Sequence, residues 1–285
     1  MRLRAAALVG LLLVAGPALA EPPVWVVRDA DSEMLLFGSV HVLPPNLRWR
    51  PAALDLALKD ADDVWFELPV DEATSTEVAQ LAARNGTLPP GQSLFGLLTP
   101  KDAARLVQIA SDHGVNPQAL DRLKPWLAEV ALASALYGKE GAAPEHGVEA
   151  TLAAAVPPTV SRRALESPAE QIALFNDTPM ADQIASLLGS MAEIETDPDT
   201  FTDLLNVWMA GDVKGLAHET MSLREASPEL FKRLVTFRNA AWTRQLDARL
   251  KGSGHTVVVV GAGHLVGEDG VPARLRALGY SVTGP

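Results

Sequence analysis

Strand-like sequence occurs at the two ends of this chain and almost nowhere between, and no other feature limits its fold as strongly. Near the start, VWVVRD (24–29) and EMLLFGSVH (33–41) are apolar runs around the turn residues Ala30-Asp31-Ser32, and DDVWFELP (62–69) is a shorter run bounded by charges and proline. Downstream, HTVVVVGAG (255–263) reads as a buried strand, GVPARLRALGY (270–280) as a helix and YSVTGP (280–285) as an edge strand. A segment opening at Pro51 has helical spacing and reads as a crossover helix. From about 71 to 250 the pattern is helical. Helices are predicted near 71–84, 100–113, 125–137, 146–155, 168–176, 179–191, 199–210 and 228–251, with one strand, TVSRRALES (159–167), after Pro157-Pro158. The predicted fold is therefore α/β (α+β), with a central sheet built from N- and C-terminal strands and a large helical insertion. Neither half closes a core alone, so 21–285 reads as one domain, with 71–140 as a candidate helical subdomain.

The first twenty residues have a different character. Arg2 and Arg4 precede an apolar stretch that ends in Ala18-Leu19-Ala20, the pattern of a secretory signal peptide cleaved after Ala20. The alternative is an uncleaved anchor, although the apolar stretch falls short of the roughly 20 residues a bilayer span needs. The expected location is periplasmic or secreted, with no stable membrane insertion after cleavage. The chain has no cysteine, so no disulfide is available and the fold must stand on its core. Its formal charge of −11 becomes −13 without the two N-terminal arginines, which argues against nucleic acid or anionic lipid as a partner. Nothing in the sequence fixes an oligomeric state.

Two strand runs end alike, in Gly38-Ser39-Val40-His41 and in Gly261-Ala262-Gly263-His264. Glycine there permits a sharp turn or a close approach, and a histidine three residues on falls at the carboxyl edge of the sheet, where open α/β sheets bind ligands. Imidazole is the commonest metal ligand and a frequent acid or base. Read alone, either histidine is more often a structural turn residue; the pair at equivalent strand ends makes function as good a reading. Other chemical patterns are missing. His218-Glu219 lacks the second histidine of HExxH because Ser222 stands there, GAGHLVGEDG lacks a phosphate-loop Gly-Lys-Ser/Thr, and there is neither a GxSxG elbow nor a thiol.

With these motifs the chain resembles the TraB/PrgY/GumN family, relatives of the TIKI metalloproteases, which carries two GxxH motifs with a glutamate after the first. That glutamate is Glu67 in VWFELP. LKPWLAEVALA (123–133), HGVEATLAAA (146–155), LESPAEQIALF (165–175), FRNAAWTRQL (237–246) and the C-terminal segment resemble family blocks in the family's order, so the likeness covers 24–283. The family usually has aspartate where Glu149 stands; the carboxylate is kept.

The resemblance implies a divalent-metal-dependent peptidase acting on a peptide or protein substrate. His41 and His264 would be metal ligands, and Glu67 a third ligand or the base acting on a metal-bound water. Nitrogen and oxygen donors without thiolate suit zinc, manganese or cobalt. Arg238 and Asn239, in the FRNAAW block, become catalytic candidates. A permanently charged guanidinium can hold a carboxylate or a developing oxyanion, and without the family block it reads as an ordinary surface ion pair. Glu149 and Glu166 would orient the histidines, or are plain helix and strand-end charges. Two readings compete with the peptidase: a non-catalytic periplasmic binder of a peptide or envelope saccharide, and another hydrolase on the same scaffold.

Overall fold

The computed structural model describes residues 21–285; residues 1–20, which read as a signal peptide in the sequence, lie outside the described residues. Six strands form one sheet: β1 (Val24–Arg28), β2 (Ser32–Ser39), β3 (Asp63–Phe66), β4 (Ser161–Ala164), β5 (Gly254–Gly261) and β6 (Ser281–Thr283). Their order across the sheet is β4-β3-β5-β2-β1-β6. β5 pairs in parallel with both β2 and β3, β3 pairs in parallel with β4, and β1 runs antiparallel to β2 and β6. β5 thus lies between the N-terminal strands β3 and β2, and the sheet is built from both ends of the chain as the strand pattern predicts.

Continuous burial explains why β5 holds the centre. Val257 through Val260 are all buried, as are Met34 through Phe37 on β2, so both faces of the sheet are covered. Strands buried on both faces carry unbroken runs of β-branched and large apolar residues instead of alternation, and VVVV is such a run. The covering side chains include Leu54 and Leu58 from the helix Ala52–Asp60 and Trp242, Leu246 and Leu250 from the helix Arg238–Leu250. Trp208 is fully buried and donates its indole N–H to the Gly38 carbonyl at 2.8 Å, tying the insertion to the end of β2.

A second apolar cluster lies within the insertion. It joins Leu106, Ile109 and Leu120 to Leu132, Leu187 and Met191. The helix Met180–Thr196 supplies the last two, so this cluster reaches well beyond residue 140. Among the described residues no helix is long and apolar enough to cross a membrane.

Two helical details depart from the sequence pattern. Residues 228–251 form a short helix Pro228–Phe231, a π-helical stretch Lys232–Phe237 and the helix Arg238–Leu250. A π-turn adds a residue to the helical repeat and so redirects every side chain after it. The helix Val213–Ala226 falls where none is predicted.

Candidate active site at the carboxyl edge of the parallel strands

Four parallel strands end at one edge, and each delivers part of a charged cluster. β2 ends at Ser39 and leads to His41. β3 ends at Phe66, directly before Glu67. β4 ends at Ala164, two residues before Glu166, and β5 ends at Gly261 before a 3-10 turn, Ala262–His264. Register makes them neighbours: Ser39 pairs with Gly261, while Phe66 lies between Val259 and Ala164. The distance of 223 positions between the two histidines is closed by the sheet alone.

The motif glycines serve close approach. Neither Gly38 nor Gly261 has a positive φ. A Cβ on Gly38 would stand 3.0 Å from the Cα of Ala262, so the first motif is small because the second packs on it. A Cβ on Gly261 would stand 3.3 Å from Glu67 Oε1, 3.5 Å from His264 Cδ2 and 3.7 Å from His41 Nε2. All three groups therefore converge on one point, which the missing side chain leaves clear.

Each converging group is fixed from behind. Glu67, 6% exposed, accepts the Gly261 N–H on Oε1 at 2.7 Å and an Arg238 Nη2 hydrogen on Oε2 at 2.6 Å; Gln171 Nε2 lies 3.4 Å from the same Oε2. Burial alone would push the Glu67 carboxyl up. Arg238 and the two histidines outweigh burial and hold it at about 2. Burial holds His264 down at about 3, so its ring is neutral at pH 7 and the guanidinium is the partner that counts for Glu67.

His264 has its tautomer set by Asn239. The Asn239 amide donates from Nδ2 to the carbonyls of Asp269 at 2.9 Å and His264 at 3.3 Å, so its Oδ1, 2.6 Å from His264 Nδ1, accepts the ring N–H. The Nε2 lone pair then faces inward, where Arg238 Nη1 lies 3.0 Å away. His41 is held in a parallel way. Its Nδ1 lies 2.8 Å from Glu149 Oε1, which also accepts from the Ser39 hydroxyl at 2.5 Å. Glu149 raises His41 to about 9 against the opposing effect of burial, although 63% of the side chain is open to solvent, which screens that pull.

Arg238 has no spare hydrogen. Its five N–H groups go to Glu166 twice (2.8 and 3.0 Å), to Glu67, to His264 Nε2 and to the Leu234 carbonyl at 3.2 Å. The ring of Trp242 lies 4.5 Å from its guanidinium carbon and 4.4 Å from the His264 ring, and donates its indole N–H to Glu166 at 2.9 Å. At 8% exposure this is no surface ion pair.

All seven sequence candidates thus meet in one cluster: His41, Glu67, Glu149, Glu166, Arg238, Asn239 and His264; Glu149 holds a histidine as expected, whereas Glu166 holds Arg238 and Trp242 instead of a histidine. Sequence reasoning missed Ser39, Gln171 and Trp242. Trp242 carries a usable signal, since it stands four residues after Arg238 and so shares its helical face.

The depressed carboxyl of Glu67 has a consequence for folding. A group with a lowered folded-state pKa contributes stability above its unfolded value, and this is lost as pH falls through the folded value. Stability is therefore expected to fall between about pH 4.5 and about pH 2 as Glu67 protonates. Urea midpoints of the wild type and Glu67→Gln, measured across that window, should converge at the acid end.

Comparison with known proteins identifies the family. The model of the TraB/PrgY/gumN family matches residues 23–284. Uncharacterized protein YbaP of Escherichia coli (strain K12) is 25% identical over 259 residues, covering 90% of this chain and 92% of that protein; YbaP of Shigella flexneri matches to the same extent. No solved structure matches the chain. With the match running from before β1 to the end of β6, the chain belongs to the TraB/PrgY/gumN family.

Proposed function

We propose that this protein is an extracytoplasmic hydrolase of peptide or protein substrates that works with a divalent cation, Mn, Co or Zn, held by His41, Glu67 and His264. One observation carries the reading: two imidazoles and a carboxylate converge on a point that Gly261 leaves clear. Nitrogen and oxygen donors of these types suit such an ion. Glu149 and Asn239 take the Nδ1 positions, which leaves Nε2 of both rings for coordination. Three carboxylates against the Arg238 guanidinium and the His41 ring, raised to about 9, still leave an excess of negative charge around the centre, and a cation would displace the His41 Nε2 proton. Among the described residues no trio of His, Asp or Glu is spaced to close on an ion as the side chains stand, and the contact between Arg238 and His264 must open first. The extracytoplasmic location rests on Arg2, Arg4 and the Ala-Leu-Ala ending.

Roles follow from the geometry. A bound cation would supply Lewis acidity and a water that is nucleophilic at neutral pH. Glu67, held near 2, is a weak base and a good anionic ligand, so of its two sequence-level roles coordination is the better match. Arg238 fixes Glu67 through Oε2 while Glu166 fixes Arg238. Were His264 Nε2 to hold a cation, the Arg238 Nη1 hydrogen that it now accepts would be released beside the same centre. There it can hold a developing oxyanion, a role that is closed while all five hydrogens are engaged. Asn239 acts through His264 and is a positioning residue.

The test is hydrolysis of a mixed peptide library, read by mass spectrometry with Mn, Co or Zn added in turn. Wild type is expected to produce new termini with at least one ion, and Glu67→Gln is expected to produce none. Intact peptides with every ion would leave a binding protein on the family scaffold.

A further inference from the structure

Neither of the two cavities beside the cluster is lined by His41, Glu67 or His264. One is a trough of about 600 Å³ whose wall carries Glu193, Asp197, Asp203 and Glu219. The other is a pocket of about 220 Å³, walled by Trp126, Val130, Phe175, Leu230 and Leu234. They share Glu129, Ser186 and Leu223, so they form one continuous surface.

That surface adjoins the cluster along two elements. Leu234, in the pocket wall, gives its carbonyl to Arg238 one turn later. Phe175, stacked on Trp126 with ring centroids 5.7 Å apart, follows Gln171 by four residues on the helix Pro168–Asn176, and Gln171 approaches Glu67. A turn of helix rises about 5.4 Å, so pocket and cluster are neighbours.

Three observations point to a ligand here. Gln183 is 4% exposed and lines the pocket; its Nε2 donates to the Thr178 carbonyl at 2.7 Å, while its Oε1 has no partner among the described residues. Trp126, 5% exposed in the same wall, has an indole N–H that is also unpaired among the described residues. Leaving a buried donor or acceptor unmade costs about 1–3 kcal/mol. Finally, none of the described residues lining the trough or the pocket is a lysine or arginine. Burial, with the added repulsion of Glu193, pushes the Glu129 carboxyl above its usual range, and burial followed by the nearby Glu219 does the same to Glu193.

We infer that this surface binds a peptide segment carrying a basic residue beside an apolar residue with a polar tip. The ammonium or guanidinium lies in the trough, and the apolar body fills the pocket between Phe175 and Leu230. A phenol hydroxyl can donate to Gln183 Oε1 or accept from the Trp126 N–H. The pocket volume suits one side chain, being about seven times the volume a water occupies in the liquid. This inference rests on the proposed peptidase reading for its meaning as a substrate subsite, though binding can be measured without cleavage.

The test uses three fluorescein-labelled octapeptides in a Gly/Ser frame, containing Lys-Tyr, Glu-Tyr or Lys-Gly. Binding to the purified protein is read by anisotropy, and peptide integrity by mass spectrometry. The Lys-Tyr peptide is expected to bind about tenfold tighter than either of the others. Glu193→Gln with Glu219→Gln should remove the preference for Lys over Glu. Ala133→Trp, which fills the pocket from its wall, should remove the preference for Tyr over Gly and leave the charge preference. Equal affinities, no binding, or preferences unchanged in the variants would overturn the inference. Selective binding with every peptide intact would uphold the surface and count against the hydrolase; cleavage without selectivity would do the reverse.

Discussion

Arg238→Leu is expected to lower the unfolding free energy by about 3–5 kcal/mol, a larger loss than any other single change in the cluster. Arg238 is 8% exposed and supports two carboxylates, Glu67 at 2.6 Å and Glu166 at 2.8 and 3.0 Å. Replacing it strands both charges in a site that Trp242 and His264 keep dry. The ion pair need not add much net stability over apolar residues of the same shape; the cost lies in leaving the partners unpaired. Adding Glu166→Gln to Arg238→Leu should therefore recover part of the loss, since one of the stranded charges is gone. Chemical denaturation of wild type, both single variants and the double variant reads the coupling directly. A loss below about 1 kcal/mol for Arg238→Leu would return this arginine to the class of surface ion pairs.

Gly261→Ala is expected to separate folding from function. The backbone there, φ −48° and ψ 136°, is open to alanine, and glycine-to-alanine at a compatible position stabilises by about 0.4–1 kcal/mol through the unfolded state. The nearest predicted contact, 3.3 Å to Glu67 Oε1, asks a carboxylate to move by a few tenths of an ångström. The new methyl nevertheless stands where the three groups converge. Hydrolysis is expected to fall about a hundredfold, the scale set by ångström-sized misplacement at a reacting centre. The thermal midpoint should stay close to wild type. Full activity in Gly261→Ala would move the reacting centre away from this point.

The fold was legible where burial leaves a mark on composition. The run of four β-branched valines, too short for a helix, reads as a strand covered on both faces, and it lies inside the sheet. The helix Val213–Ala226 left no such mark: among its described side chains only Leu216 is a buried apolar residue, and Gly215 interrupts its first turns. Local periodicity reports which face a residue takes, and a helix with so little buried face has no period to report. The π-helical stretch was equally hidden, because an extra residue in a turn changes register without changing composition.

The candidate site was legible as a set of residues but not as a set of bonds. Both histidines and Glu67 could be located from strand ends and family motifs. Nothing local, however, pairs Ser39 and His41 with Glu149, 110 and 108 positions away, or Arg238 with Glu166, 72 positions away. Those partners meet because four parallel strands end at one level, which is a property of the sheet order. The choice between carboxylate and oxyanion for Arg238 likewise needed the count of its five hydrogens.

The most direct measurement is metal content after dialysis against dilute Mn, Co and Zn, comparing wild type with His41→Ala/His264→Ala and checking the fold of both by circular dichroism and thermal midpoint. The proposed function requires about one equivalent of one of these ions on the wild type and none on the folded double variant. Equal metal in both proteins, or a negligible amount in both, would contradict it.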